Sequence, residues 1–223
     1  MVQNAERVFR GCITSKHIVQ LFDTSDTLAD GVATFLNDGF VARDSLLVVA
    51  RPSHWKAIAA RLERRGHSVT DATRGGQLTV QDAQRTMSRF MRHGQPVAEL
   101  FHSEVGQIVE RLATQANGSL WIYGEMVDVL AEERNFAAAR YLEELWNELG
   151  LRLSFTLLCG YSSAHFADAS TARMFAEICD RHSHIHIGDE DVMGNWVLKR
   201  RSTDRVDDRV DEATPRAAIR ADA

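Results

Sequence analysis

Short uninterrupted apolar runs alternate along this chain with segments of helical period, and that alternation leaves few folds open. The runs are HIVQLF at 17–22, SLLVVA at 45–50, SLWIY at 119–123 and LSFTLLCGY at 153–161. Runs of this length and β-branched content suit strands buried on both faces. Between them, 26–38 places Leu28, Val32, Phe35 and Leu36 on one helical face, with Gly39 as its stop. Ser53 is positioned to cap a helix that buries Trp55, Ile58, Ala59 and Leu62 and stops at Gly66. Residues 69–71 are expected as a short strand and Gly75-Gly76 as a turn. Helices are expected over 80–93, 99–116, 125–134 and 135–149, with a last one capped by Ser170. Strand–helix alternation implies right-handed crossovers, hence one α/β domain with a mostly parallel central sheet and helices on both faces. In such sheets ligands sit beyond the carboxyl ends of the strands. The positions to inspect are therefore 23–26, 51–54, 124–126 and 159–163.

Charge excludes one class of partner. With 26 basic and 31 acidic residues the net charge is -5, a poor basis for holding a polyanion, so no direct nucleic-acid partner is expected. The three cysteines, Cys12, Cys159 and Cys179, show no metal-type spacing, which points to reduced thiols and a cytoplasmic location. No apolar core of a signal peptide follows the first ten residues, and no run approaches the ~18 apolar residues of a membrane span. Residues 199–223 carry seven basic and six acidic residues and no aromatic. They offer too little apolar surface to offset chain ordering, so a disordered tail is expected. The domain division is then a 1–15 N-terminal segment, a 16–198 folded domain and the tail.

The turn after the first run reads Phe22-Asp23-Thr24-Ser25-Asp26-Thr27-Leu28. A phosphate-binding loop needs glycines, so that amides can cradle phosphate, followed by a lysine to neutralise it. This turn has neither, and Asp23, Asp26 and Asp30 would repel a triphosphate. Thr24, Ser25 or Asp26 can simply cap the helix. Glu125 follows Trp121-Ile122-Tyr123-Gly124 at a strand end, where it can act as a polar site residue or sit in a first helical turn, favoured by the dipole. His182, His184 and His186 alternate as on one side of a strand but match no defined metal signature, so no metal and no cofactor is assigned. No Gly-x-Ser-x-Gly elbow surrounds a serine. Cys159, in an apolar strand, reads as buried and inert. Aromatics near strand ends, among them Tyr123 and Tyr161, can line a small-molecule pocket.

Several segments in order resemble the MEDS family, the sensory domain of methanogen and methylotroph regulators and of the regulator of dichloromethane metabolism. They are HIVQLF at 17–22, VATFLNDG at 32–39, LLVVA at 46–50, Asp82-Ala83, Phe90-Met91, YGEMV at 123–127, LEELWN at 142–147, FTLLCGY at 155–161, Ile178-Cys179 and His182-Ser183-His184. The resemblance covers roughly 16–187 and implies a RecA/KaiC-like fold without its phosphate-binding loop. It also implies a non-enzymatic module that senses a small molecule, hydrocarbon derivatives being the usual proposal, and passes that state to an attached regulatory module.

The residue reading and the resemblance together set the expectation. The chain is a cytoplasmic sensory protein that binds a small molecule at the strand ends and signals to a regulatory protein partner. Homo-oligomerisation is left open. The candidate ligand-binding residues are His17, Asp23, Tyr123, Glu125, Tyr161, His182 and His184, with no catalytic residue. Two alternatives stand beside this: a divergent nucleotide-binding ATPase-like or phosphotransfer protein, and a ligand-independent scaffold for a regulator such as an anti-sigma factor or kinase.

Overall fold

A computed structural model describes residues 16–115 and 119–186, the last three through their backbone only. The N-terminal segment 1–15 and the tail 199–223 lie outside the described residues.

β1 (Lys16–Phe22) leads into α1 (Ser25–Ala42), whose N-cap is Thr24: its side chain accepts from the Thr27 amide and Thr27 reciprocates. Gly39 does not end this helix, as periodicity suggests. The helix continues to Ala42 and ends on Arg43 in the left-handed region. Gly39 instead faces the sheet: a Cβ there would stand 2.6 Å from Leu46 Cδ2 and 3.0 Å from Trp121 Cδ1, so the glycine permits close approach. β2 (Ser45–Ala50) follows, then α2 (Pro52–Arg64). Pro52, at the first helical position, starts α2, and Ser53 makes no cap.

The expected strand at 69–71 is the helix α3 (Val69–Arg74), because the Ser68 hydroxyl caps the Asp71 amide. The expected helix at 80–93 is instead β3 (Leu78–Asp82) followed by α4 (Ala83–Phe90). Asp82 ends the strand and caps the helix through the Arg85 amide. A small antiparallel hairpin, β4 (Met91–Arg92) and β5 (Gln95–Pro96), comes next. The expected helix at 99–116 is α5 (Ala98–Phe101), a π-helical turn at His102–Gly106, and α6 (Gln107–Gln115).

β6 (Leu120–Gly124) is followed by α7 (Met126–Glu132), with Glu125 at its N-cap position, and by α8 (Phe136–Gly150), capped by Asn135. β7 (Thr156–Ser162) begins three residues later than its apolar run. A 3-10 turn at Ser163–Phe166 precedes α9 (Ala169–Cys179), which Asp168 caps in place of the expected Ser170. β8 (His184–His186) closes the order.

The six-stranded sheet runs β3-β2-β6-β7-β1-β8, all pairs parallel. Alternation along β1 sends Val19 and Leu21 into one core layer and Ile18 and Phe22 into the other. The first layer lies under α4 to α9 and is the larger, with Phe101, Trp146, Phe155, Tyr161, Phe166 and Phe175 in contact edge to face or tilted. The second lies under α1 and α2, around Phe35, Leu36, Ile58, Leu62 and Trp121. The expected α/β class, parallel sheet and two-sided helical cover all hold. Among the described residues, no helix is long and apolar enough to cross a membrane.

Candidate functional site

Polar side chains collect at two places, and the candidates named from sequence divide between them. The first is the crevice beyond the carboxyl ends of β1, β2, β6 and β7. Here a cavity of about 280 Å³ is lined by residues of the Phe22–Ser25 turn, Arg51, His54, Asp128, Glu132, Ser162 and His165. Behind it lies Glu125, completely buried, whose carboxylate accepts from the Arg51 amide, from His54 Nδ1 at 2.8 Å and from the Tyr123 hydroxyl at 3.0 Å. Gly160 on β7 makes room for that phenol: a Cβ there would stand 3.0 Å from Tyr123 Oη. Burial first, and then the neighbouring Glu125, push the Tyr123 phenol well above its ordinary value, so it stays a donor.

Asp128, on the first turn of α7, ties the crevice together. It accepts from Arg51 at 2.7 Å and from the Ser162 amide at 2.7 Å, and lies 3.1 Å from His165 Nε2. Burial works against its ionisation, but bonds from His165, the Ser162 amide and Arg51 outweigh it and hold the carboxyl below its usual value. Asp23 sits exposed on the rim and accepts from the Ser163 hydroxyl. Asp26 and Asp30, at the start of α1, pair with Arg61 of α2. The acid-rich turn therefore contributes to holding two helices together.

The second cluster lies between the β1–β7 pair and helices α8 and α9, away from the crevice. Glu143 of α8 is fully buried. Its Oε1 accepts from the Tyr161 hydroxyl at 2.8 Å and stands 3.3 Å from His182 Nε2. Its Oε2 accepts from the Cys159 thiol at 3.3 Å and stands 3.1 Å from His17 Nε2. Burial opposes ionisation of Glu143, but the contacts with His182 and His17 prevail and hold it well below the carboxylate range. Burial, then the adjacent His17, lowers the His182 imidazole. The same desolvation, with Glu143 nearby, raises the Cys159 thiol and the Tyr161 phenol well above their usual values. The interior thus holds one carboxylate that accepts from a protonated phenol and a protonated thiol and stands beside two imidazoles. A separate cavity of about 550 Å³, lined by Lys16, His17, Trp146, Asn147, Leu151 and Phe155 among others, opens beside His17 at the amino ends of the strands.

Of the residues named from sequence, Tyr123 and Glu125 stand behind the crevice, Asp23 is on its rim, and His17, Tyr161 and His182 belong to the other cluster. Tyr123 and Tyr161 are fully buried, and neither lines the crevice. His182 precedes β8. The side chain of His184, like that of His186, is outside the described residues. Sequence reasoning marked 51–54 for inspection without naming Arg51 or His54 as ligand-binding residues, and it passed over Asp128, Glu143 and His165. Glu143 had a detectable signal: it sits one turn from Ala139 and three residues before Trp146, on the buried stripe of α8. Arg51 and His54 follow a strand end, but nothing local distinguishes them from surface residues.

The His54–Glu125 bond carries a pH dependence. That bond, less a smaller opposing desolvation, raises the His54 imidazole above its ordinary value. A folded-state value above the unfolded one adds stability that is complete below the unfolded pKa of about 6.5 and is lost as pH rises through the folded value. The stability difference between wild type and His54→Gln, measured by urea denaturation, is expected to be largest near pH 5.5 and to shrink above pH 6.5. A difference that stays constant across this window would contradict the assignment. Taking the difference removes the opposite contribution of buried His182.

One family profile, described as the methanogen/methylotroph, DcmR sensory domain (MEDS), matches residues 16–182, which include both clusters. No curated protein matches the chain.

Proposed function

The chain belongs to the MEDS family, a family of non-catalytic sensory modules on a RecA/KaiC-like α/β fold, and from that premise we propose that the crevice at the strand carboxyl ends is its sensing site. The observation that carries this reading is the 280 Å³ cavity at the place where such sheets bind ligands, walled by groups that are already oriented by one another. Its volume lies at the lower edge of the roughly 300–1,000 Å³ range of ordinary ligand pockets, which favours a molecule of few heavy atoms. Asp23, Glu125, Asp128 and Glu132 face one arginine and two histidines. This balance suits a small cationic or hydroxylic hydrocarbon derivative and disfavours a phosphate. The absence of a glycine and a lysine from the Phe22–Leu28 turn argues the same way against the nucleotide-binding alternative.

Ligand binding would bias a two-state equilibrium only through tighter binding to one state. Arg51, Asp128 and His165 join β2, α7 and the turn after β7, so a change in their spacing moves three elements at once. The state would then be read by a regulatory protein partner. Neither Asp23 nor His165 is part of the buried core, so Asp23→Asn and His165→Ala should fold. A panel of short primary amines, diols and alcohols, each titrated against thermal unfolding, tests the site. A probe at 100 times its Kd adds about 2.7 kcal/mol. For a chain of this size that corresponds to a rise of about 5–10 °C in Tm. The rise should shrink in both variants. A flat response to the whole panel, or a rise indifferent to both substitutions, would defeat the proposal.

A further inference from the structure

We infer that His17, Glu143, Cys159 and His182 form a buried binding site for a divalent transition-metal ion of the zinc class. None of the four lines the strand-end crevice, so this inference goes beyond the sensing site and does not depend on it.

The donor set is the first argument. One potential ligand atom from each residue lies within 4.8 Å of all the others, and all four residues are buried. Around a tetrahedral zinc, with Zn–N near 2.0 Å and Zn–S near 2.3 Å, ligand atoms stand about 3.2–3.8 Å apart. Here His17 Nε2 is 3.3 Å from Cys159 Sγ, Cys159 Sγ is 3.3 Å from Glu143 Oε2, and His182 Nε2 is 3.3 Å from Glu143 Oε1. Two neutral imidazoles, a thiolate and a carboxylate would balance a dication, leaving no net charge in the interior. Binding forms the metal–sulfur bond and releases the Cys159 proton to solvent.

The orientation of the imidazoles is the second and independent argument. His182 Nδ1 meets the Ile178 carbonyl at 2.8 Å, so that nitrogen must carry the proton. Asn147 donates from Nδ2 to the Arg181 carbonyl at 3.0 Å, which turns its Oδ1 toward His17 Nδ1 at 2.8 Å. His17 therefore also carries a proton on Nδ1. Both rings are held with Nε2 turned toward the Glu143 carboxylate, the second-shell pattern of metal-bound histidine. His182 Nε2 is fully buried and has no hydrogen-bond partner, although a carboxylate oxygen stands 3.3 Å away. With Nδ1 committed to the Ile178 carbonyl, Nε2 is the nitrogen that can offer a lone pair to a cation held between it and the carboxylate. Ser183 fixes the His17 backbone from both sides, accepting from its amide at 3.0 Å and donating to its carbonyl at 2.9 Å. The 550 Å³ cavity that exposes the edge of His17 supplies an entry path.

The test uses the full chain, stripped with a chelator, desalted, loaded with Zn²⁺ or Co²⁺ and passed through gel filtration. Wild type is expected to retain about one ion per chain, the count a single four-ligand site allows. Its Co²⁺ form is expected to show thiolate-to-metal charge-transfer absorption with tetrahedral visible bands. Cys159→Ser should abolish that absorption, and Cys159→Ser and His182→Gln should each weaken binding at least tenfold. The double substitution His184→Gln with His186→Gln should bind as wild type. No retained ion, a cobalt spectrum without thiolate absorption, or binding that survives Cys159→Ser but fails in the His184/His186 variant would each overturn the inference. The wild-type spectrum reads the site without any substitution, so a variant that misfolds leaves the result decisive.

Discussion

Glu143→Ala is expected to destabilise the chelator-treated protein by about 3–5 kcal/mol, the range for deleting one partner of a buried ion pair. The carboxylate accepts from the Tyr161 hydroxyl at 2.8 Å and the Cys159 thiol at 3.3 Å, and it faces two imidazoles. Alanine removes all of these acceptors at once in a buried site. Each buried donor left without a partner costs about 1–3 kcal/mol. The lost side-chain volume also leaves a cavity beneath α8. Glu143→Gln keeps one carbonyl acceptor and the shape of the side chain, so it should cost less than alanine. The midpoint of urea unfolding, with the slope checked for constancy, measures both. A loss below about 1 kcal/mol for alanine would mean that the cluster is hydrated and that its groups find water instead.

Trp146→Ala should cost a similar amount, about 3–5 kcal/mol, for a different reason. Trp146 is among the largest fully buried side chains and lies on the same face of α8 as Glu143. Its ring meets Phe101 edge to face at 5.3 Å and Phe155 at 6.1 Å, and so joins α5, α8 and the approach to β7. The indole also backs the 550 Å³ cavity beside His17. Truncation removes apolar transfer energy and enlarges a void that aromatic neighbours cannot fill without leaving their rotamers. Trp146→Phe, which keeps a ring in place, should recover more than half of the loss. Equal losses for alanine and phenylalanine would show that the indole nitrogen, and not ring volume, dominates.

The two residues differ in how far the sequence alone reveals them. Trp146 was legible because it falls in step with Leu142 and Leu145 on an apolar stripe. Glu143 interrupts that stripe, and a glutamate followed by Glu144 in a helix reads as a surface residue unless its period is followed. The element errors have a common cause. Ser53 and Ser170 look like caps, but Pro52 and Asp168 set the helix starts: Pro52 has its φ already fixed for the first helical position, and Asp168 accepts from the Ser170 and Thr171 amides. At 78–93 a strand and a helix meet at Asp82 without a glycine or proline between them, so periodicity merged them into one helix.

What the sequence determined by itself is the repertoire of local states. Continuous apolar runs placed the buried strands, amphipathic period placed most helices, and a turn without glycine or lysine removed the phosphate cradle. These properties depend on neighbours a few residues apart, and the backbone expresses them wherever the segment ends up. The pairing of His17 with Cys159, 142 residues away, and the gathering of Arg51, Asp128 and His165 were decided only by the tertiary structure. Strand order and register set which side chains share a desolvated space, and burial gives those side chains their unusual protonation and hydrogen-bonding demands. No short window of sequence carries the register, so the chemistry of both clusters appears only once the sheet is assembled.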